Sequence, residues 1–196
     1  MARRVEFFFD VGSPAAYLAW TQLAKLCAGA GAEVDYRPML LGGVFHATGN
    51  HSPTTVPAKG KYMMDDLGRF AVRYGVPFRT NDHFPINTLM LMRCAAGLQL
   101  REPSRFLSYV DAVYAAIWVD GRNMNDAETV ASVLEASGFD AAAMQALAAD
   151  PEVKDRLKAI TQEAVERGVV GAPTFFVNGQ MHWGQDRLDF LKEALQ

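Results

Sequence analysis

The run Val5-Glu6-Phe7-Phe8-Phe9 is apolar and aromatic almost without interruption and stops at Asp10-Val11-Gly12. That pattern predicts a short buried strand. Ser13-Pro14 follows as an N-cap with proline in the first helical position. Tyr17, Leu18, Leu23, Leu26 and Cys27 then fall on one helical face, which Gly29 and Gly31 close. A second strand is predicted over 33–38. Beyond it the period changes, and helices are predicted over 62–74, 85–99, 104–118, 126–136, 141–149 and 151–167. Ser104 and Asp126 are expected N-caps, and Gly97, Gly138 and Gly168 are expected helix ends. The methionines on the 85–99 segment read as core filler. Thr174-Phe175-Phe176-Val177 returns to a strand, Asn178-Gly179 is a strong hairpin signal, and 180–183 is its partner. Gly184 breaks that strand before a terminal helix over 186–195.

The order is therefore βαβ, a long helical stretch, then ββα. It fits an α/β thioredoxin fold with an all-helical domain inserted in its middle, divided as 1–45, 46–167 and 168–196. Such a split brings Gly12-Ser13 and Ala172-Pro173 to one edge of the sheet. The fold, more than the local sequence, makes a cis bond the expectation at Ala172-Pro173.

Composition narrows the function. The chain has 196 residues, half of them hydrophobic, which suffices for a real core. Lysine and arginine number 19 against 22 acids, a net charge of −3 without a long basic run, so a nucleic-acid partner is not expected. No apolar stretch approaches the roughly 18 residues of a membrane span. The short apolar run near the N-terminus lacks the length and cleavage site of a signal peptide. A cytoplasmic location is expected. Cys27 and Cys94 are far apart and in apolar company, and read as buried reduced thiols. His46, His51, His83 and His182 have no partner at metal-ligand spacing.

Certain motifs carry a family likeness. Phe8 to Tyr17 reads Phe-x-Asp-x-x-Ser-Pro-x-x-Tyr. Thr48-Gly49-Asn50, Pro57-Ala58-Lys59, Val170-Gly171-Ala172-Pro173-Thr174 and Trp183-Gly184-Gln185-Asp186-Arg187-Leu188 follow in order. Together they resemble the 2-hydroxychromene-2-carboxylate isomerases, which group with kappa-class glutathione transferases and DsbA-type oxidoreductases. The resemblance implies a glutathione cofactor whose thiolate adds to a conjugated double bond, allows rotation and is eliminated. It implies conversion of 2-hydroxychromene-2-carboxylate to trans-o-hydroxybenzylidenepyruvate in the breakdown of naphthalene-type aromatics, and a homodimer. A kappa-class-like transferase is the nearest alternative, and a noncatalytic thioredoxin-like binding module is an alternative of another class.

In this likeness Ser13 stands where a disulfide oxidoreductase carries its attacking cysteine. Ser13-Pro14-Ala15-Ala16 contains no cysteine, so dithiol chemistry is excluded. The hydroxyl and the helix N-terminus can instead hold a thiolate supplied by glutathione. A thiol with pKa near 8.5 is only about 3% ionised at pH 7, and a fall of about two units makes the thiolate the major form. A plain helix cap is the structural reading of Ser13, and the two are compatible. The family likeness places the cysteinyl backbone along Val170, Ala172 and Pro173, where a turn is the alternative. It places polar contacts at Asn50 and Lys59, and the gamma-glutamyl end at Gln185 and Asp186. Asp186 can equally be an ordinary N-terminal helix acid. Phe84 and Asn87 are expected to meet a small aromatic substrate, with Phe45 and Trp183 as further wall candidates. Arg93 and Arg187 can meet a substrate carboxylate or form internal ion pairs. His182 reads as a strand residue.

Overall fold

A computed structural model describes residues 3–196, so Met1 and Ala2 of the expected 1–45 segment lie outside the described residues. Its sheet has the strand order β2-β1-β3-β4, from β1 (Arg3–Phe9), β2 (Ala32–Pro38), β3 (Thr174–Val177) and β4 (Gln180–Trp183). β1 runs parallel to β2, with Phe7 opposite Tyr36, and antiparallel to β3, with Phe7 opposite Phe175. The β1–β2 crossover is α1 (Pro14–Gly29). Asn178 and Gly179 both take positive φ, 51° and 79°, which closes the β3–β4 hairpin.

The sheet explains why β1 lacks alternation: it is buried on both faces. Phe7 and Phe9 point to one side, where Phe7 stacks on Phe175 at 5.2 Å between ring centres, against α1 and the helices beyond. Phe8 points to the other, among Phe176, Val44, Ile160 and Ala164. On that second face the Arg167 guanidinium lies 3.8 Å over the Phe176 ring and pairs with Glu6 at 2.6 Å.

Between β2 and β3 the chain forms α2 (Leu41–Thr48), α3 (Pro57–Tyr74), α4 (Leu89–Arg101), α5 (Pro103–Trp118), α6 (Ala127–Ala136), α7 (Ala141–Ala149) and α8 (Pro151–Glu166). Asp126, Asp140 and Asp150 cap α6, α7 and α8, each carboxylate accepting a first-turn N–H. Several expectations need correction. The helix expected from 62 starts at Pro57, and α5 starts at Pro103, so Ser104 lies inside it and caps nothing. Gly97 does not end α4. It lies within it, where a Cβ would come 2.7 Å from Leu147 Cγ, so glycine there admits α7. The helix expected from Pro85 begins only at Leu89, leaving 84–88 as a loop that includes a cis Phe84-Pro85 bond. α2 was not predicted, and the expected break at 45/46 falls inside it. The last helix opens as a 3-10 turn, Gln185–Arg187, and continues as α9 (Leu188–Ala194). No described helix is long and apolar enough to cross a membrane.

Candidate active site

The N-terminus of α1 and the 170–173 segment meet beside β1. Ser13 caps α1 with extended backbone, φ −92° and ψ 116°, and its Oγ accepts from Ala16 N–H at 3.1 Å. The same hydroxyl donates to the Ala172 carbonyl at 2.8 Å. Ala172-Pro173 is cis, as the fold led one to expect. Pro173 in turn offers its carbonyl to Gly184 N–H at 3.0 Å, tying the segment to the turn before Gln185. Asn50 Nδ2 donates to the Val170 carbonyl at 2.8 Å. Ser13 is thus bonded to Ala172 and Asn50 to Val170, at the two ends of one short segment. The N–H groups of Val170, Gly171 and Ala172 have no hydrogen-bond partner among the described residues. Since backbone donors are seldom left unpaired, this is a short open edge beside the Ser13 hydroxyl.

Gly171 is required by what lies against it. A Cβ there would come 2.7 Å from Trp183 Nε1, so the indole, itself half exposed, presses on the backbone of this segment. A cavity of about 380 Å³, lined by Phe45, His46, Gly49, Asn50, His51 and Ser52, opens next to Asn50.

The remaining expected residues are held differently. Gln185 is buried, and its carbonyl accepts from the Tyr74 hydroxyl at 2.8 Å. Asp186 is exposed and pairs with Arg187 at 2.6 Å, so Arg187 is spent on an internal ion pair. Gly184 at φ 107° is needed there, because a Cβ would strike Asp186 Oδ1. Lys59 is exposed in the first turn of α3 and makes no ion pair or hydrogen bond among the described residues. Tyr74, which reaches Gln185, sits at the far end of that helix, about 22 Å along its axis from Lys59. No direct bond links Lys59 or Asp186 to the Ser13 cluster. Arg93 is half-buried on α4 and has no ion pair among the described residues.

Phe84 and Asn87 belong to the loop before α4. Phe84 packs at 5.7 Å on Trp118, whose Nε1 donates to the Val11 carbonyl at 2.8 Å, two residues before Ser13. Asn87 is exposed, with its N–H on Asn125 Oδ1 at 2.8 Å. Buried Asn81 fixes the start of the loop on the Ile117 and Arg122 carbonyls, and Asn125 fixes its middle on those of His83 and Pro85. Asn81, Asn125 and Trp118 were missed by sequence reasoning; Asn81, close before Pro85, gives a local signal, whereas Trp118 and Asn125 reach the loop from more than 30 residues away.

Asp10 was read as the end of a strand and as part of the Phe8–Tyr17 motif, but was given no role of its own. Its carboxylate is buried, yet accepts from Gly12 N–H at 2.9 Å, Leu41 N–H at 2.8 Å and the Thr88 hydroxyl at 3.0 Å. Burial pushes its pKa up, and those hydrogen bonds pull against that rise. Cys27 and Cys94 are free and buried, their thiol pKa values pushed up by burial to about 11 and about 12. Neither can serve as a thiolate at neutral pH. Among the described residues no three His, Cys, Asp or Glu side chains gather as a metal site.

Comparison with known proteins identifies the fold and the family. Residues 4–196 match the family described as the DSBA-like thioredoxin domain. A 2-hydroxychromene-2-carboxylate isomerase of Sphingobium xenophagum is 35% identical, covering 100% of this chain and 99% of its own. Glutathione S-transferase kappa 1 of Homo sapiens is 28% identical over 100% of this chain and 92% of its own. The solved structure of a 2-hydroxychromene-2-carboxylate isomerase superposes with a TM-score of 0.84 at 32% identity, covering 98% of this chain and 94% of that one. The chain is a DSBA-like thioredoxin-fold protein and belongs to the 2-hydroxychromene-2-carboxylate isomerase family of enzymes.

Proposed function

We propose that this chain is a glutathione-dependent cis–trans isomerase that interconverts 2-hydroxychromene-2-carboxylate and trans-o-hydroxybenzylidenepyruvate in the degradation of naphthalene-type aromatics. The observation that carries it is the Ser13 hydroxyl, set at a helix N-terminus beside an open backbone edge in a chain without a reactive thiol of its own. Glutathione, when bound, supplies a thiolate able to add to and leave the substrate double bond.

The residues present fit that group. Ser13 has one proton, given to Ala172 in the free protein. Turning it toward a sulfur keeps its acceptance from Ala16 N–H and frees the Ala172 carbonyl. An extended peptide along 170–173 can donate its own N–H to that carbonyl and accept from Ala172 N–H, as an added strand does. Both polar groups of Ala172 are then paired. The positive end of α1 and the hydroxyl both favour an anion there. Asn50 holds the Val170 end of the segment, while Lys59, Gln185 and Asp186 serve the charged ends of the tripeptide. Phe84 and Asn87, in the loop before α4, are the residues assigned to the aromatic substrate. This scheme needs no general base.

The test is to run many turnovers of 2-hydroxychromene-2-carboxylate with less glutathione than substrate and then assay free thiol. Full conversion with thiol recovered is the expected result. Conversion that stops when thiol is exhausted, with a thioether accumulating, is the outcome for a transferase, the activity named for the kappa relatives.

A further inference from the structure

The Asp10 carboxylate gathers donors from three parts of the chain: Gly12 in the Ser13 loop, Leu41 at the start of α2, and Thr88 at the start of α4. Thr88 is the N-cap residue of α4, the position where a threonine normally turns its hydroxyl back on its own helix. Here it makes no such bond and spends the hydroxyl on Asp10 instead. A capping contribution is given up locally, so the bond has been placed for its other end. Gly12 is pressed into the same contact, since a Cβ there would come 2.8 Å from Thr88 Cγ2. Ser13 N–H closes back on the Asp10 carbonyl at 3.0 Å. The buried hydroxyl of Tyr114, with no partner among the described residues, feels the Asp10 charge and is the ionisable side chain facing it from α5.

We infer that Asp10 is a positioning residue which, through Gly12 and Thr88, clamps the Ser13 loop onto the start of α4. The spacing between the thiolate-holding donors and the 83–87 loop is thereby fixed. The inference rests on the reading of Ser13 as the thiolate holder. Without the clamp, Gly12 and Ser13 keep their sequence and cap but lose the reference that aims the hydroxyl. A charge-assisted hydrogen bond depends steeply on its angle and length.

Thr88→Val tests this, because it keeps the methyl that abuts Gly12 and puts a methyl in place of the hydroxyl, leaving Asp10 itself unchanged. Thr88→Ser restores the hydroxyl and drops the methyl. In the binary complex with glutathione, ultraviolet titration of the thiolate is expected to show a pKa higher by about half a unit or more in Thr88→Val, about threefold in the ionisation equilibrium. Saturated turnover should fall in parallel, and Thr88→Ser should return both toward the parent. If Thr88→Val does not fold, Thr88→Ala, which puts no methyl against the carboxylate, replaces it. Lower thermal stability with thiolate pKa and kcat unmoved would overturn the inference and leave Asp10 a purely structural knot. Ser13→Ala, titrated alongside, separates the two failures. If it leaves the thiolate pKa unchanged, the Ser13 reading falls. If it moves the pKa and neither Thr88→Val nor Thr88→Ala does, the clamp alone falls.

Discussion

The two ends of the proposed tripeptide site are built in opposite ways. Around Ser13 the side chains are held in place: the hydroxyl is buried and bonded on both sides, and Asn50 holds the Val170 carbonyl. At the charged end, Lys59 is exposed and unpaired among the described residues, and Asp186 is held only by its chain neighbour Arg187. On the proposed reading the sulfur end is preorganised and the charged end is assembled on binding. A group that must change the electronics of a reacting atom needs fixed geometry. A group that merely holds a remote carboxylate or ammonium does not.

That contrast is sharpest at Ser13. Ser13→Ala removes one charge-assisted hydrogen bond, worth roughly 1.5–3 kcal/mol. Saturated turnover at neutral pH should drop by about 10- to 100-fold, and the thiolate pKa of bound glutathione should rise by about one to two units. Ultraviolet titration and steady-state kinetics measure both, and unchanged values would remove the contrast altogether.

Lys59→Ala and Asp186→Ala should act more weakly and on a different parameter. Each loses a solvent-exposed charge contact of about 0.5–1 kcal/mol, so the glutathione KM should rise about twofold to fivefold while kcat holds. Added salt should shrink the effect. A fall in kcat at saturating glutathione would show that these side chains reach the chemistry.

The smallest expected effect is none. Cys27 and Cys94, with thiol pKa values of about 11 and about 12, should resist iodoacetamide at pH 7.5, and activity should survive the treatment. Mass spectrometry of the treated protein reads this directly. Rapid labelling with loss of turnover would mean that the chain carries a working sulfur of its own.

Local features were legible wherever their cause was local. The β1 run, the Ser13-Pro14 cap and the Asn178-Gly179 hairpin each depend on a few adjacent residues, and each stands where its sequence put it. Helix starts were less legible. α3 and α5 begin at prolines without a side-chain cap, and α4 begins at Leu89 after the 84–88 loop, where the Thr88 hydroxyl is bound to Asp10, 78 residues away. α2 was hidden by its Gly42-Gly43 pair, a poor helix former in isolation. It is held by Val44, buried between the sheet and α8, and by the Asp10 bond to Leu41 N–H. Among the candidate residues, Ser13, Ala172, Asn50 and Asp10 all stand in quoted motifs. What Asp10 holds together was not legible, because two of its three donors come from 31 and 78 residues away.

The Trp183 indole gives the molecule an optical reporter. Trp118 is fully buried and Trp20 is partly buried, its Nε1 donating to Asp111 Oδ1 at 2.6 Å, whereas Trp183 stands half in water with its edge against Gly171. A ligand laid along 170–173 changes the solvent around the Trp183 ring while leaving Trp20 and Trp118 in their own surroundings. Emission at the red edge of the spectrum, and its quenching by iodide, should therefore follow occupancy of this edge without any label. A Trp183→Phe variant should lose the signal and keep the fold.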